Sequence, residues 1–129
     1  MLILRSVLDA LRAHAAGADP HECCGLLLGE GLRIAAARPA GNVAADPSRR
    51  FEIDPQVLID QHRAQRHGGP RLLGYYHSHP AGPARPSATD RAQAPGDGLV
   101  WAIIAGETVT LWRDSPGGFD PLPYRVLDG

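Results

Sequence analysis

The chain has 129 residues, a hydrophobic fraction of 43% and a formal net charge of −1. That length suits a single domain, residues 1–129, around one core, and the near-neutral charge excludes a general attraction to nucleic acid or anionic lipid. Cys23 and Cys24 are adjacent, and a bridge between neighbours would be badly strained, so a disulfide framework is excluded and a reducing, cytoplasmic setting is expected. Arg5, Asp9 and Arg12 interrupt the N-terminus, which does not read as a signal peptide, and no apolar run approaches the length of a membrane span. The thirteen basic residues are all arginine, the usage of a GC-rich genome or of a protein that handles lysine-linked conjugates.

Leu2 to Leu4 reads as a short strand, and Ser6 as the cap of a helix to about Ala16 with Val7, Leu8 and Leu11 on one face. Cys23 to Gly29 is a continuous apolar run with the look of a buried strand. The turn Glu30-Gly31 returns the chain along Leu32 to Ala37. Pro39 to Arg50 is polar and irregular, Phe51 to Ile53 suits a short strand, and Pro55 opens a helix that ends near His67, with Val57, Leu58 and Ile59 as its apolar positions. A strand over Leu72 to His79 leads into a Pro-rich bend. Ser87 caps a short helix ending by Pro95. Leu99 to Ala105 and Thr108 to Arg113 form a hairpin about Gly106-Glu107, and Phe119 to Val126 adds an edge strand limited by Pro121 and Pro123. The expected fold class is α/β, a mixed sheet with helices on its faces.

Residues 77 to 90, H-S-H-P-A-G-P-A-R-P-S-A-T-D, carry the chemistry. On a strand, residues i and i+2 share a face, so His77 and His79 leave the strand end in one direction. Two imidazoles and the carboxylate of Asp90 are the ligand set of an open catalytic zinc site. Ser87 lies one helical turn before Asp90 and can turn its hydroxyl to the same place. In isolation these residues would read otherwise: the histidines as polar residues ending a strand, S-x-x-D as a helix capping box, and Glu22, far upstream, as a solvated loop carboxylate. An Asp held by a metal is not expected to reach back to the cap amide as well.

P-x-E-x-C-G-L-L-x-G at Pro20 to Gly29, followed by H-x-H-P-x(6)-S-x-x-D, resembles the JAMM (MPN+) zinc metalloproteases. The resemblance covers nearly the whole chain, since Asn42, Arg50-Phe51 and Asp54-Pro55 also sit where bacterial members carry such residues, and no motif position departs from the pattern. It implies a cytidine-deaminase-like mixed sheet flanked by helices. It implies that His77, His79 and Asp90 hold one zinc ion. Glu22 would be the general acid/base that takes a proton from zinc-bound water and passes it to the leaving amine, and Ser87 would stabilise the oxyanion. The substrate implied is a peptide or isopeptide bond after the C-terminal Gly-Gly of a ubiquitin-like or sulfur-carrier protein. The alternative readings are a peptidase releasing one amino acid, such as cysteine, from a sulfur carrier, and a non-catalytic scaffold of the same fold. A nucleobase deaminase would need P-C-x-x-C, which is lacking. Cys23 and Cys24 are expected to face opposite sides of the sheet, and Arg49 and Arg50 to form a solvated or ion-paired loop, the alternative being contact with an acidic substrate surface. Only ten residues separate His79 from Asp90, so an open cleft that grips an extended tail is expected, with the tail added to a sheet edge.

Overall fold

Eleven elements follow one another in the computed structural model, which describes residues 1–129. They are β1 (Leu2–Leu4), α1 (Arg5–Ala18), β2 (Cys24–Glu30), β3 (Arg33–Ala40), α2 (Pro55–Arg66), β4 (Arg71–Ser78), α3 (Ala88–Gln93), β5 (Val100–Ala105), β6 (Thr108–Ser115), β7 (Gly118–Pro121) and β8 (Arg125–Leu127). The strands form one mixed sheet in the order β7-β6-β5-β4-β2-β3-β1-β8. β4 and β5 run parallel, as do β1 with β3 and with β8; the remaining pairs are antiparallel. The expected α/β class holds.

The C-terminal segment departs from expectation. Phe119 to Val126 is not one edge strand but two, β7 at one edge of the sheet and β8 at the other. Eight flat strands would span about 33 Å, whereas the link from Pro121 to Arg125 reaches at most about 14 Å. The sheet must therefore curl until its edges nearly meet. Leu122 in the link donates its N–H to the Leu111 carbonyl of β6 (2.9 Å), and Arg125 at the start of β8 donates to the Met1 carbonyl just before β1 (2.9 Å), so the chain is held to the sheet on both sides of the link.

The curled sheet wraps its main core around α1. Val7, Leu8 and Leu11 pack with Ile3, Leu27, Ile34, Tyr76, Ala102 and Ile104 in a buried cluster. Ser6 does not cap this helix. Leu4 is the N-cap and offers no side-chain bond; the Ser6 amide is taken instead by the Gly129 carbonyl at 2.8 Å, a tertiary partner that sequence position cannot reveal. Cys23 belongs to this cluster, whereas Cys24 packs on the other face with Phe51 and Trp101, as strand alternation requires. At Gly74 the backbones of β4 and β5 lie so close that a Cβ would strike the Val100 carbonyl oxygen.

α2 is capped by Asp54, whose carboxylate accepts the Gln56 N–H at 3.0 Å, with Pro55 in its first turn. It docks on β4 through polar bonds. Gln61, fully buried, donates to the Pro70 carbonyl (2.7 Å), and Gln65 accepts the Leu72 N–H (3.0 Å). Ile59 is half exposed, contrary to expectation; three consecutive residues sweep about 200° of a helix and cannot all face inward. Phe51–Ile53 forms no strand, only the bridge Asn42↔Ile53.

Candidate metal centre

Register places the site. Cys24 on β2 lies directly opposite His77 on β4, so Glu22, two residues before Cys24, enters on the same side of the sheet as His77 and His79. The chain then bends through residues 80–87, and α3 brings Asp90 back. His77 Nε2 and His79 Nε2 are 3.0 Å apart, and Asp90 Oδ2 lies 3.1 Å from the first and 3.0 Å from the second. All three residues are buried. The structure thus brings together the residues that the sequence singles out.

This arrangement fits a metal ion. His79 Nδ1 is 2.8 Å from the Pro83 carbonyl, which can only accept, so in the neutral ring Nε2 carries a bare lone pair. That lone pair faces His77 Nε2 and a carboxylate oxygen at distances close to the roughly 3.3 Å edge of a tetrahedron of zinc ligands. Converging acceptors with little hydrogen to share call for a cation. Burial would raise the Asp90 carboxyl, but bonds to both imidazoles and the Ser87 amide hold it well below the usual carboxylate range. Burial lowers the pKa of His77, the neutral form that a ligand needs. Burial would also lower His79, but Asp90, the Pro83 carbonyl and the charge of Glu22 outweigh it, so its pKa is raised.

Ser87 and Asp90 do form a capping box. Ser87 Oγ accepts the Asp90 N–H (3.0 Å), and Asp90 Oδ2 accepts the Ser87 N–H (3.0 Å). Asp90 Oδ2 therefore faces the imidazoles and the cap amide at once, contrary to the expectation that the two roles exclude each other. An oxygen with more than one acceptor direction can serve both, and the Ser87 hydroxyl proton stays free to donate.

Glu22 is buried, and its Oε1 has no hydrogen-bond partner. Its environment raises its pKa to about 7, first by burial and then by repulsion from Asp90, against the attraction of His79. Glu22, His79, Ser87 and Thr89 line one cleft of about 420 Å³. A carboxyl poised near neutrality beside a candidate metal cluster can take up and give back a proton.

Two features lie beyond the motif. Phe51 stacks on the His77 ring (centroids 4.3 Å, planes 18° apart), and Trp101 meets it edge-on at 5.6 Å, so one wall of the cluster is aromatic. Asn42 organises the loop that carries Phe51. Its amide donates to the carbonyls of Glu22 and Arg50 (both 3.0 Å) and accepts the N–H groups of Ala44 and Glu52 (both 3.1 Å). The family pattern had marked Asn42 and Phe51 without giving them a role, and the loop itself was a second signal, since long segments without regular structure in a small domain are usually functional.

A curled mixed sheet with two histidines at the end of a middle strand, an aspartate returned to them by a short helix and a glutamate just before the neighbouring strand defines a JAB/MPN-type domain. The family model described as prokaryotic homologs of the JAB domain matches residues 4–115, and the chain belongs to that family. It is 41% identical over 102 residues to a desampylase of Haloferax volcanii, covering 78% of this chain and 73% of that protein. It is 35% identical over 94 residues to a probable TtuB-protein conjugate cleaving protease of Thermus thermophilus, covering 73% and 63%. A tail tip assembly protein K of an Escherichia phage is 32% identical over 121 residues, and this chain spans only 47% of its length, against 94% of its own. A solution structure from Desulfitobacterium hafniense superposes with a TM-score of 0.87 at 30% identity, covering 100% of this chain and 94% of that one. A JAB1/MPN domain protein from Archaeoglobus fulgidus shares the fold, with a TM-score of 0.69 at 20% identity over 98% and 99% of the two chains. The named relatives support a hydrolase of the JAMM type.

Proposed function

We propose that this protein is a zinc-dependent peptidase or isopeptidase that cuts after the C-terminal Gly-Gly of a ubiquitin-like or sulfur-carrier protein. The observation that carries the proposal is the buried, unpaired Glu22 carboxylate in the same cleft as the His77–His79–Asp90 cluster. Those three residues would hold the ion, which when bound polarises the scissile carbonyl and acidifies water. Glu22 takes the proton from the attacking water and delivers it to the departing amine. The free Ser87 hydroxyl donates to the oxygen that gains charge. Phe51 keeps bulk water off His77.

The substrate class rests on the relatives' names, desampylase and TtuB-protein conjugate cleaving protease, which favour conjugates of small protein modifiers. A place for an extended tail lies beside the site. Residue 52 spends its backbone bonds inward, on Asn42 and Val43, leaving Phe51 and Ile53 without backbone partners. Their open edge borders a groove of about 490 Å³ lined by Leu58, Tyr75 and Trp101, which suits a tail added as a strand. The free, buried Cys23 and Cys24 fit a cytoplasmic setting, and no helix is long and apolar enough to cross a membrane. Release of a single amino acid from a sulfur carrier would use the same residues.

The test is to incubate the zinc-loaded protein with ubiquitin-like and sulfur-carrier proteins of the same genome, each extended past Gly-Gly. Mass spectrometry should show scission directly after the second glycine, abolished by chelator and by Glu22→Gln. Intact substrates throughout, or cuts elsewhere, would overturn the proposal.

A further inference from the structure

The cluster divides the surface in two. Tyr75 on β4 lines the apolar groove, and His79, just past the end of β4, lines the polar cleft; Gln93 at the end of α3 lines the groove, and Ser87 and Thr89 at its start line the cleft. His77 and Asp90 sit between. Glu22 is on the cleft side, so the amine it protonates departs there and the acyl tail lies toward the groove. This orientation rests on the peptidase reading given above.

The cleft has a distinct charge pattern. Its walls are two loops, one bringing Ser48 and Arg49 and the other the run Pro80 to Pro86 with Arg85. Glu22 is the only carboxylate residue on the lining. Arg85 is exposed and has no acidic partner within 4.0 Å. Arg49 pairs only through Nε, at 3.5 Å, with the solvent-facing Asp46, an exposed contact worth little, and its terminal nitrogens remain available. Two guanidinium groups from separate loops thus share the space that receives the leaving group. Guanidinium forks match carboxylates in a bidentate way.

We propose that Arg49 and Arg85 form a subsite for a carboxylate carried by the leaving group. That carboxylate has two possible sources. One is the C-terminus of a departing amino acid, one carbon from its amine. The other is an Asp or Glu side chain beside a conjugated lysine. In either case the pair selects the leaving side of the bond, while the groove reads the tail.

The experiment uses the zinc-loaded protein and peptides that end in Gly-Gly-Ala, with a free carboxylate or a carboxamide. A second pair carries Gly-Gly on a lysine side chain flanked by Glu or by Gln. The acid should be cut at least about tenfold faster than its neutral counterpart in one pair, which identifies the source. That preference should shrink with added salt and collapse toward unity in the Arg49→Gln/Arg85→Gln variant. Both residues are exposed, so the variant folds, and persistence of the preference in it would assign the effect to the metal rather than to the arginines. Equal cutting within both pairs overturns the subsite. Calorimetric binding of the same peptides to Glu22→Gln decides the matter without turnover. If no peptide is hydrolysed, the peptidase reading fails, while tighter binding of the acid that is lost in the arginine variant still upholds the subsite, and equal binding still rejects it.

Discussion

Replacing Glu22 by glutamine tests the electrostatics of the site in metal-free protein. Burial, reinforced by Asp90 and opposed by His79, raises this carboxyl from 4.5 to about 7. The folded chain therefore holds the proton more tightly than the unfolded chain. The stability this contributes is fully present below pH 4.5 and is lost as pH rises toward 7. At full effect the interval is worth about 3 kcal/mol, and screening by water at the cleft wall reduces it to about 1–2 kcal/mol. Glutamine is nearly the same shape and does not titrate. Urea denaturation of both chelated proteins between pH 4.5 and 8 should show Glu22→Gln gaining about 1–2 kcal/mol on the parent as pH rises, with most of the change before pH 7. A difference that stays flat across that range, or one of opposite sign, would refute the claim that this carboxylate is buried unpaired.

With metal restored, Glu22→Gln should keep a full complement of zinc and lose about 10²–10⁴ in kcat, seen by elemental analysis beside a cleavage assay. His77→Ala and Asp90→Ala should purify with little or no metal, and stoichiometric zinc in either would reject that ligand. Ser87→Ala should lower kcat by about 10²-fold with metal retained. It should also cost about 1 kcal/mol of stability through the lost cap, seen as a fall of a few degrees in Tm. Gly74→Ala should fail to fold or unfold at far lower temperature, because its methyl group meets the Val100 carbonyl and forces β4 from β5; a near-parental Tm would contradict that close approach.

What could be read from the chain follows distance along it. His77, His79, Ser87 and Asp90 fall within fourteen residues, and strand and helix periodicity bring them together with little help from the rest of the fold. Glu22 was legible only through the family pattern, since its approach depends on the pairing of β2 with β4, a long-range choice. The aromatic wall was legible only in part: the family pattern marked Asn42 and Phe51, but neither the stacking of Phe51 on His77 nor the part of Trp101. Phe51 reaches His77 because Asn42 folds the loop over residues 42–52 onto itself, and nothing local announces that a loop amide will tie down both Glu22 and Arg50. The split of the C-terminal segment was hidden for a similar reason. Pro121 and Pro123 signal an interruption, but only the curl of the whole sheet places β8 beside β1. Ser6 looked like a cap because the competing partner, the Gly129 carbonyl, lies at the other end of the chain.

The measurement closest to the core of the account is a zinc titration of chelated protein, scored for cleavage of a Gly-Gly-extended carrier. Activity should rise linearly and break sharply at one ion per chain, and Asp90→Ala should show no such rise. Cleavage that proceeds at full rate before any zinc is added, or that is restored equally in Asp90→Ala, would contradict it.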